Sequence, residues 1–390
     1  MVHPVFDDLP TTIFEEMSGL ARETGAINLG QGFPDDAGPE PVRAKAAQVL
    51  MTGSNQYPPM RGLPELRTAV AEHYRLSQGL DLDASEVTVT SGATEALAAA
   101  FLSLISPGDE VVLFQPLYDA YLPLVRRAGG IPRLVRLEPP HWRFDRAMLE
   151  AAFTPRTRMV VLNSPLNPAG TVTPDEDLAL LAQFCVAHDA VAVCDEVWEA
   201  VTFDGHRHRS LMDFPGMRER TVKIGSAGKM FGMTGWKVGF LCAAPALTRA
   251  LAAAHQFLTF TTPPNLQAAV AWGLEHHRDW FTTMPAGLQA SRDRLTAGLE
   301  DAGYKVLPSA GTYFLNVDLR ASGVTMADRD VCLTLVREHG VAAIPVSAFY
   351  AERPVTHVAR LCFAKADATL DVAMERLAKA REILARTDLP

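Results

Sequence analysis

Cysteine is scarce: 390 residues carry five, an odd number, and no two stand in a CxxC spacing. Cys185, Cys194, Cys242, Cys332 and Cys362 sit in apolar, strand-like or helical surroundings. That argues against a disulfide framework or a thiolate metal site and predicts reduced core thiols of a cytoplasmic protein. Positive charge is also short, with 36 Lys and Arg against 45 Asp and Glu and a net charge of −9. The basic residues are scattered and form no stripe, which excludes an evident nucleic-acid surface. The longest apolar run, ALAAAFLSLI at 96–105, is too short to span a bilayer. The opening MVHPVFDDLP lacks a basic region followed by an apolar stretch, so neither secretion nor a membrane span is expected. Internal repeats and low-complexity segments are missing too. What remains is 48% hydrophobic and 21% charged, ordinary for a globular chain of two domains acting on small molecules.

Apolar runs alternate with helical patterns between residues 86 and 260. The candidate strands are EVTVT (86–90), EVVLF (110–114), IPRLVRL (131–137), RMVVLN (158–163), AVAVCD (190–195), TVKIGS (221–226) and VGFLCA (238–243). Such alternation predicts an α/β fold, a mainly parallel seven-stranded sheet covered on both faces. The last two runs are joined only by a glycine-rich loop, so one of them is expected to run antiparallel. Beyond residue 280 the texture changes to a long polar helix near 279–302, strands in GTYFLNV, VAAIPV and HVARLCFA, and helices near 328–339 and 368–386. The expected organisation is a large domain at 41–280, a smaller α+β domain at 281–390, and a segment 1–40 without a core pattern that packs with the small domain.

In open α/β sheets ligands sit beyond the carboxyl ends of the strands, and the unusual residues collect there. AVAVCDEVWEA (190–200) reads as a buried strand ending in two carboxylates, Asp195 and Glu196; burying a carboxylate is costly unless a cation meets it. SAGKMFGMTGWKVG (226–239) holds Lys229 and Lys237 among glycines and apolar residues. By residue type alone these are solvated loop lysines. A lysine kept from water instead has a lowered pKa and can form a Schiff base. The loop is no Walker A motif, because Met230 stands where Ser or Thr is needed.

A Schiff-base lysine calls for a carbonyl cofactor, and pyridoxal phosphate makes three further demands. Asp195 would keep the ring nitrogen protonated, which supplies the missing cation. VTVTSGATEAL, a strand running through Ser91–Gly92–Ala93–Thr94 into a helix, would cradle the phosphate on free N–H groups, although alone it is an ordinary helix start. Ser226 and Lys237 could complete that shell. Tyr118 of QPLYDAY would face the ring, although alone it is an ordinary core aromatic. Asn163 and Asn167 of LNSPLNPAGTV form a rigid turn, and Asn167 could donate to the ring's phenolic oxygen. HRH at 206–208 reads as a solvated turn and not a metal pair, so no metal is expected.

These motifs, together with NLGQGFPD (28–35), NQYPPMRGLPELR (55–67), GTYFL, AIPVSAFY and VARLCFAK, run in a fixed order along nearly the whole chain. In that order the sequence resembles the class I/II aminotransferases of fold type I. Within them it is most similar to the branch of kynurenine, methionine and N-succinyldiaminopimelate aminotransferases. The resemblance implies Lys229 as the cofactor-bonded lysine, Asp195 as the pyridinium partner, Asn167 at the ring oxygen and Tyr118 on the ring. It also implies Ala93, Thr94, Ser226 and Lys237 at the phosphate. Tyr57 would reach the phosphate of a neighbouring subunit, implying a homodimer with shared sites. Arg360 would clamp a substrate carboxylate beside Gly32. The implied reaction moves an amino group from an amino acid to a 2-oxo acid by a ping-pong route through Lys229.

Two departures from the family pattern stand out. DEVYE is DEVWE here, so Trp198 replaces a phenol near the ring oxygen; HNP is LNP, and Leu166 suggests a more apolar pocket. Phe14 and HQFLTFTTPPN (255–265) offer apolar walls suited to neutral or aromatic amino acids, while the similarity to the succinyldiaminopimelate enzymes keeps an acidic substrate open, with no single arginine assignable to a second carboxylate. Competing readings are a β-lyase acting on cysteine conjugates and a cofactor-binding regulatory protein.

Overall fold

The computed structural model describes residues 4–7 and 9–385; residues 1–3, Asp8 and the last five of the 281–390 unit lie outside the described residues. A two-residue strand, β1 (Ile27–Asn28), precedes the large sheet. The sheet strands are β2 (Val87–Thr90), β3 (Glu110–Gln115), β4 (Ile131–Arg136), β5 (Thr157–Asn163), β6 (Val191–Asp195), β7 (Thr221–Ser226) and β8 (Gly239–Ala243). They lie in the order β2-β8-β7-β6-β5-β3-β4. Each falls on one of the seven expected runs; the inner strands read as continuous rather than alternating apolar stretches because they are buried on both faces of a covered sheet, while β4, at the edge, is half-buried.

β8 is the antiparallel strand, paired that way with both β2 and β7. Its amino end therefore lies with the carboxyl ends of its neighbours, and the residues leading into it join the same edge. Helix Gly92–Leu104 follows β2 directly and packs against helix Pro245–Leu258. Helix Pro64–Gln78 begins on Pro64 and ends at Gly79, whose φ of +71° suits a residue without Cβ.

The remaining strands are β9 (Lys305–Leu307), β10 (Phe314–Asp318), β11 (Val341–Ala342), β12 (Ile344–Pro345) and β13 (Val358–Cys362). Four of them make an antiparallel sheet in the order β12-β13-β10-β9, and β11 pairs with β1 in parallel. Helix Ile13–Thr24 packs on helix Asp328–Glu338, while the short turn of helix at Pro4–Asp7 lies against helix Tyr121–Arg127. The early segment thus touches both sheets' surroundings. One continuous body of buried side chains runs from Val111, Val193 and Leu241 of the large sheet to Leu315 and Leu361 of the small one. Burial across that junction holds the two sheets in register around the cleft between them. All five cysteines are buried and unpaired.

Candidate active site

The cleft floor is built where β2 passes into its helix. Gly92 takes φ +75°, and a Cβ there would meet Lys237 Cε and Nζ at 3.3 Å. Lys237 itself is left-handed at φ 54°, unusual for a residue with a side chain. Gly239 packs so tightly on this turn that a Cβ would lie 2.7 Å from the Gly92 carbonyl carbon. These approaches bring Ala93, Thr94, Ser226 and Lys237 around one cavity of about 200 Å³. The first-turn N–H groups of the helix have no intrahelical acceptors and form an anion cradle with the Lys237 ammonium.

Asp195, at the end of β6, is buried at 5% exposure. Tyr121 donates to its Oδ2 at 2.5 Å and the Val197 amide to Oδ1 at 3.4 Å. Burial pushes its pKa up to about 6, a rise that the Tyr121 hydrogen bond opposes. Asn163 donates to the Asp195 carbonyl and, through its own Oδ1, accepts from the Asn167 amide, both at 2.9 Å. That pair ties the ends of β5 and β6 and aims Asn167 into the cavity. Tyr118 stands on the opposite wall, its hydroxyl 3.5 Å from Thr94 Oγ1.

Lys229 sits in a short helical turn after β7. Its Nζ lies 4.3 Å from the centre of the Trp198 ring and donates to the Gly32 carbonyl at 3.4 Å. Burial lowers its pKa to about 8. Trp198 is fixed edge-on against Tyr313 and Phe314, with centroids 4.6 and 5.5 Å away. Tyr313 in turn donates to the Lys229 carbonyl at 3.0 Å.

Arg360 rises from β13, 1% exposed. Its Nη1 donates to Asn167 Oδ1 at 2.8 Å and its Nη2 to the Gly30 carbonyl at 2.6 Å. Phe314, Phe349 and Phe14 surround the guanidinium at 3.8, 5.2 and 5.3 Å. Nε has no partner among the described residues, and burial lowers the pKa to about 9. A second cavity of about 230 Å³ opens from Arg360 to Lys229 between Phe14, Phe33, Tyr118 and Trp198. Gly32 has no room for a side chain, since a Cβ would fall 2.3 Å from Phe314.

Behind Trp198 lies a second set of buried charges. Lys223 on β7 is fully buried, with both Glu196 and Glu199 hydrogen-bonded to its ammonium. Glu196 also accepts from His208 and Ser210 at 2.8 Å each, and Glu199 from Tyr74 at 2.7 Å and Gln78 at 2.6 Å. Glu196 is therefore structural, on the face away from the cavity. The HRH motif does not form the expected solvated turn throughout: the His208 side chain is 2% exposed. Two carboxylates sharing one lysine leave a charge deficit that draws the imidazole inward. Glu196, Glu199 and His208 stand close enough to suggest metal ligands, but the Lys223 ammonium occupies that space.

Most of the expected residues converge. Tyr57 does not: it is 84% exposed and touches Phe260, 5.4 Å away between ring centres. Phe257 and Phe260 of HQFLTFTTPPN likewise face outward and line neither cavity. Leu166 lines a different cavity of about 410 Å³ behind Asn163 and Tyr121 and neither of the two cavities above. Sequence reasoning missed Tyr121, three residues past Tyr118 across the turn that leads into helix Tyr121–Arg127, and the Phe314 and Phe349 walls around Arg360.

Asp195 has no cation within ion-pair distance, and Lys229, Lys237 and Arg360 have no carboxylate, among the described residues. One buried anion and three cations converging on open space need a ligand bearing the opposite charges. The chain matches the family "Aminotransferase class I and II" over residues 24–377. It is 44% identical to the methionine aminotransferase of Escherichia coli (strain K12), over 95% of this chain and 96% of that one. The chain is a class I and II aminotransferase. The human kynurenine–oxoglutarate transaminase 1 is 36% identical over 93% of this chain and 94% of its own. The solved structure of N-succinyldiaminopimelate aminotransferase from Mycobacterium tuberculosis superposes with a TM-score of 0.94 at 44% identity, covering 97% of this chain and all of that one. As a member of this family the aminotransferase depends on pyridoxal phosphate. Its charged groups fit that cofactor: an anion for a ring nitrogen, an amine for a carbonyl and a cradle for a phosphate. No described helix is long and apolar enough to cross a membrane.

Proposed function

We propose that Lys229 and Asp195 are the catalytic pair of a ping-pong aminotransferase whose amino donor has a neutral, apolar or aromatic side chain. The convergence of unpaired Asp195, Lys229 and Arg360 on adjoining cavities carries this reading. When bound, the cofactor supplies a carbonyl for the lysine and an electron-withdrawing ring for charge that develops at the substrate Cα. The chain's own residues do the rest. Asp195 would hold a proton on the ring nitrogen; Asn167, Tyr118 and Trp198 would confine the ring; Ala93, Thr94, Ser226 and Lys237 would hold the phosphate. Arg360, oriented by Asn167 and Gly30, binds the substrate carboxylate beside Gly32. Lys229, whose pKa burial lowers to about 8, is placed to act as the base at the substrate Cα and, as the ammonium, to return that proton.

Phe14, Phe33, Phe314 and Trp198 wall the outer cavity, and among the described residues the cations lining it are Lys229 and Arg360. A side-chain carboxylate would find no further cation among the described residues of this chain there, which favours neutral donors of the kind the methionine and kynurenine relatives are named for. The exposed Tyr57, Phe257 and Met51 support a homodimer in which Tyr57 reaches across to the partner's site. Five buried free thiols support a reducing, cytoplasmic setting.

The test is a single-turnover screen in which the loaded enzyme meets one amino acid at a time without an oxo acid. Methionine or phenylalanine should change the cofactor absorbance and release the matching 2-oxo acid, and Lys229→Ala should abolish it. Full turnover by that variant would overturn the assignment.

A further inference from the structure

Beside the phosphate cradle stands a histidine that the reaction does not use. His255 lies in the last turn of helix Pro245–Leu258 and is wholly buried. Its Nδ1 is 2.8 Å from Glu95 Oε1 and its Nε2 is 2.9 Å from the Met60 carbonyl. A carboxylate and a carbonyl only accept, so both ring nitrogens must carry hydrogen; the neutral ring, with one N–H, cannot serve both. Thr259 Oγ1 is 3.5 Å from Nδ1 and can turn either way. The position favours a cation twice over: it is at a helix carboxyl end, and it faces Glu95.

Both partners lead to the cofactor site. Glu95, in the first turn of helix Gly92–Leu104, also accepts from the Ser91 amide at 2.9 Å and so shapes the cradle. A bare carboxylate there would repel a phosphate; an imidazolium cancels that charge. Met60 follows Tyr57 by three residues, and the His255 carbonyl accepts from the Phe260 amide at 3.3 Å, the residue on which Tyr57 packs. His255 is thus the joint between the cradle and the turn that carries Tyr57.

The other ionisable groups near this joint are engaged or neutral. Helix Gly92–Leu104 offers Glu95 alone, β2 offers none, and β8 offers the Cys242 thiol, which burial keeps protonated. Glu86 is paired with Arg218 at 2.7 Å, and Arg61 is bound to Thr88 Oγ1 and to the Ser85 and Val87 carbonyls. On its own helix the remaining charge is Arg249.

We propose that His255 is a positioning residue for the cofactor phosphate, held as an imidazolium that braces the Ser91–Thr94 cradle against the Tyr57 turn, and that cofactor retention weakens when it loses a proton. This rests on the assignment of that cradle to the phosphate. Glu95→Gln separates charge from shape, because its amide can donate to Nδ1 and still accept from Ser91, satisfying a neutral imidazole.

The experiment follows cofactor release from the holoenzyme into a trap between pH 6 and 10, with nitrogen NMR of the His255 ring. Wild type should show both ring nitrogens protonated at pH 7. Its release should accelerate at least about tenfold more across the range than that of Glu95→Gln, the equivalent of one charge-assisted hydrogen bond. Other groups titrating in the range are common to both proteins and cancel. Enzyme reconstituted with pyridoxal, which lacks the phosphate, should show no such difference. A neutral ring at pH 7, parallel profiles for the two proteins, or an equal effect with pyridoxal would each overturn the proposal. Failure of the cradle assignment reads differently: Ser226→Ala and Lys237→Met would then leave retention of pyridoxal phosphate unchanged.

Discussion

Tyr121→Phe removes one oxygen and tests how Asp195 is kept ionised without a cation of the protein's own. The carboxylate is buried, its pKa stands near 6, and the Tyr121 hydroxyl at 2.5 Å is the largest influence holding it down. A hydrogen bond to a charged acceptor contributes about 1.5–3 kcal/mol, which corresponds to about 1–2 pH units. We expect the Asp195 pKa in the cofactor-free variant to rise to about 7–8. At pH 7 the ionised fraction then falls from about nine-tenths to half or less. Cofactor affinity, which needs the anion, should show an acid limb near pH 6 in wild type and one to two units higher in the variant. The stability of the cofactor-free protein gives an independent check with a defined sign. Because the folded pKa of about 6 exceeds the reference 3.8, this group's contribution is full below pH 3.8 and is lost as pH rises through 6. The full span is about 3 kcal/mol, and the variant should lose more over a range that extends further upward. Titrating cofactor affinity and urea unfolding side by side measures both. An acid limb that stays within about 0.3 pH units of wild type would refute the account.

Trp198→Tyr restores the family's hydroxyl at the ring wall, and the pH at which the bound cofactor's absorbance changes should move downward; an unmoved transition would assign Trp198 to packing against Tyr313 and Phe314. Lys223→Met leaves Glu196 and Glu199 buried without their cation and should cost about 3–5 kcal/mol in urea unfolding. The double variant Lys223→Met with Glu199→Gln should recover part of that loss, and additive losses would show that the three charges act separately.

Six of the seven sheet strands were legible because they are largely buried and read as mostly apolar runs, whereas β4, at the sheet edge, is half-buried and carries Arg133 and Arg136 among its apolar residues. The reversal of β8 was legible too, since the loop before it is too short for a parallel crossover. β9 escaped notice: it has three residues, starts at an exposed lysine and packs on one side only. The charged residues of the site declared themselves because a charge in an apolar stretch is expensive. The aromatic walls did not, since Phe314 and Phe349 look like any core phenylalanine until Arg360 is found between them. His208 and His255 were illegible for a related reason. Each is drawn inward by a carboxylate distant in sequence, 12 and 160 residues away. Tyr57 marks the converse case, a residue singled out by its motif whose place within one chain shows only exposure.

The guanidinium of Arg360 bridges Gly30 and Asn167, 330 and 193 residues away along the chain. Every residue lining the inner cavity falls between Gly92 and Lys237. A ribosome therefore delivers the parts that hold the cofactor long before the part that grips the substrate. During synthesis the growing polypeptide acquires its chemistry first and its selectivity last. Only the arrival of β13 at the opening segment around Gly30 completes the donor site.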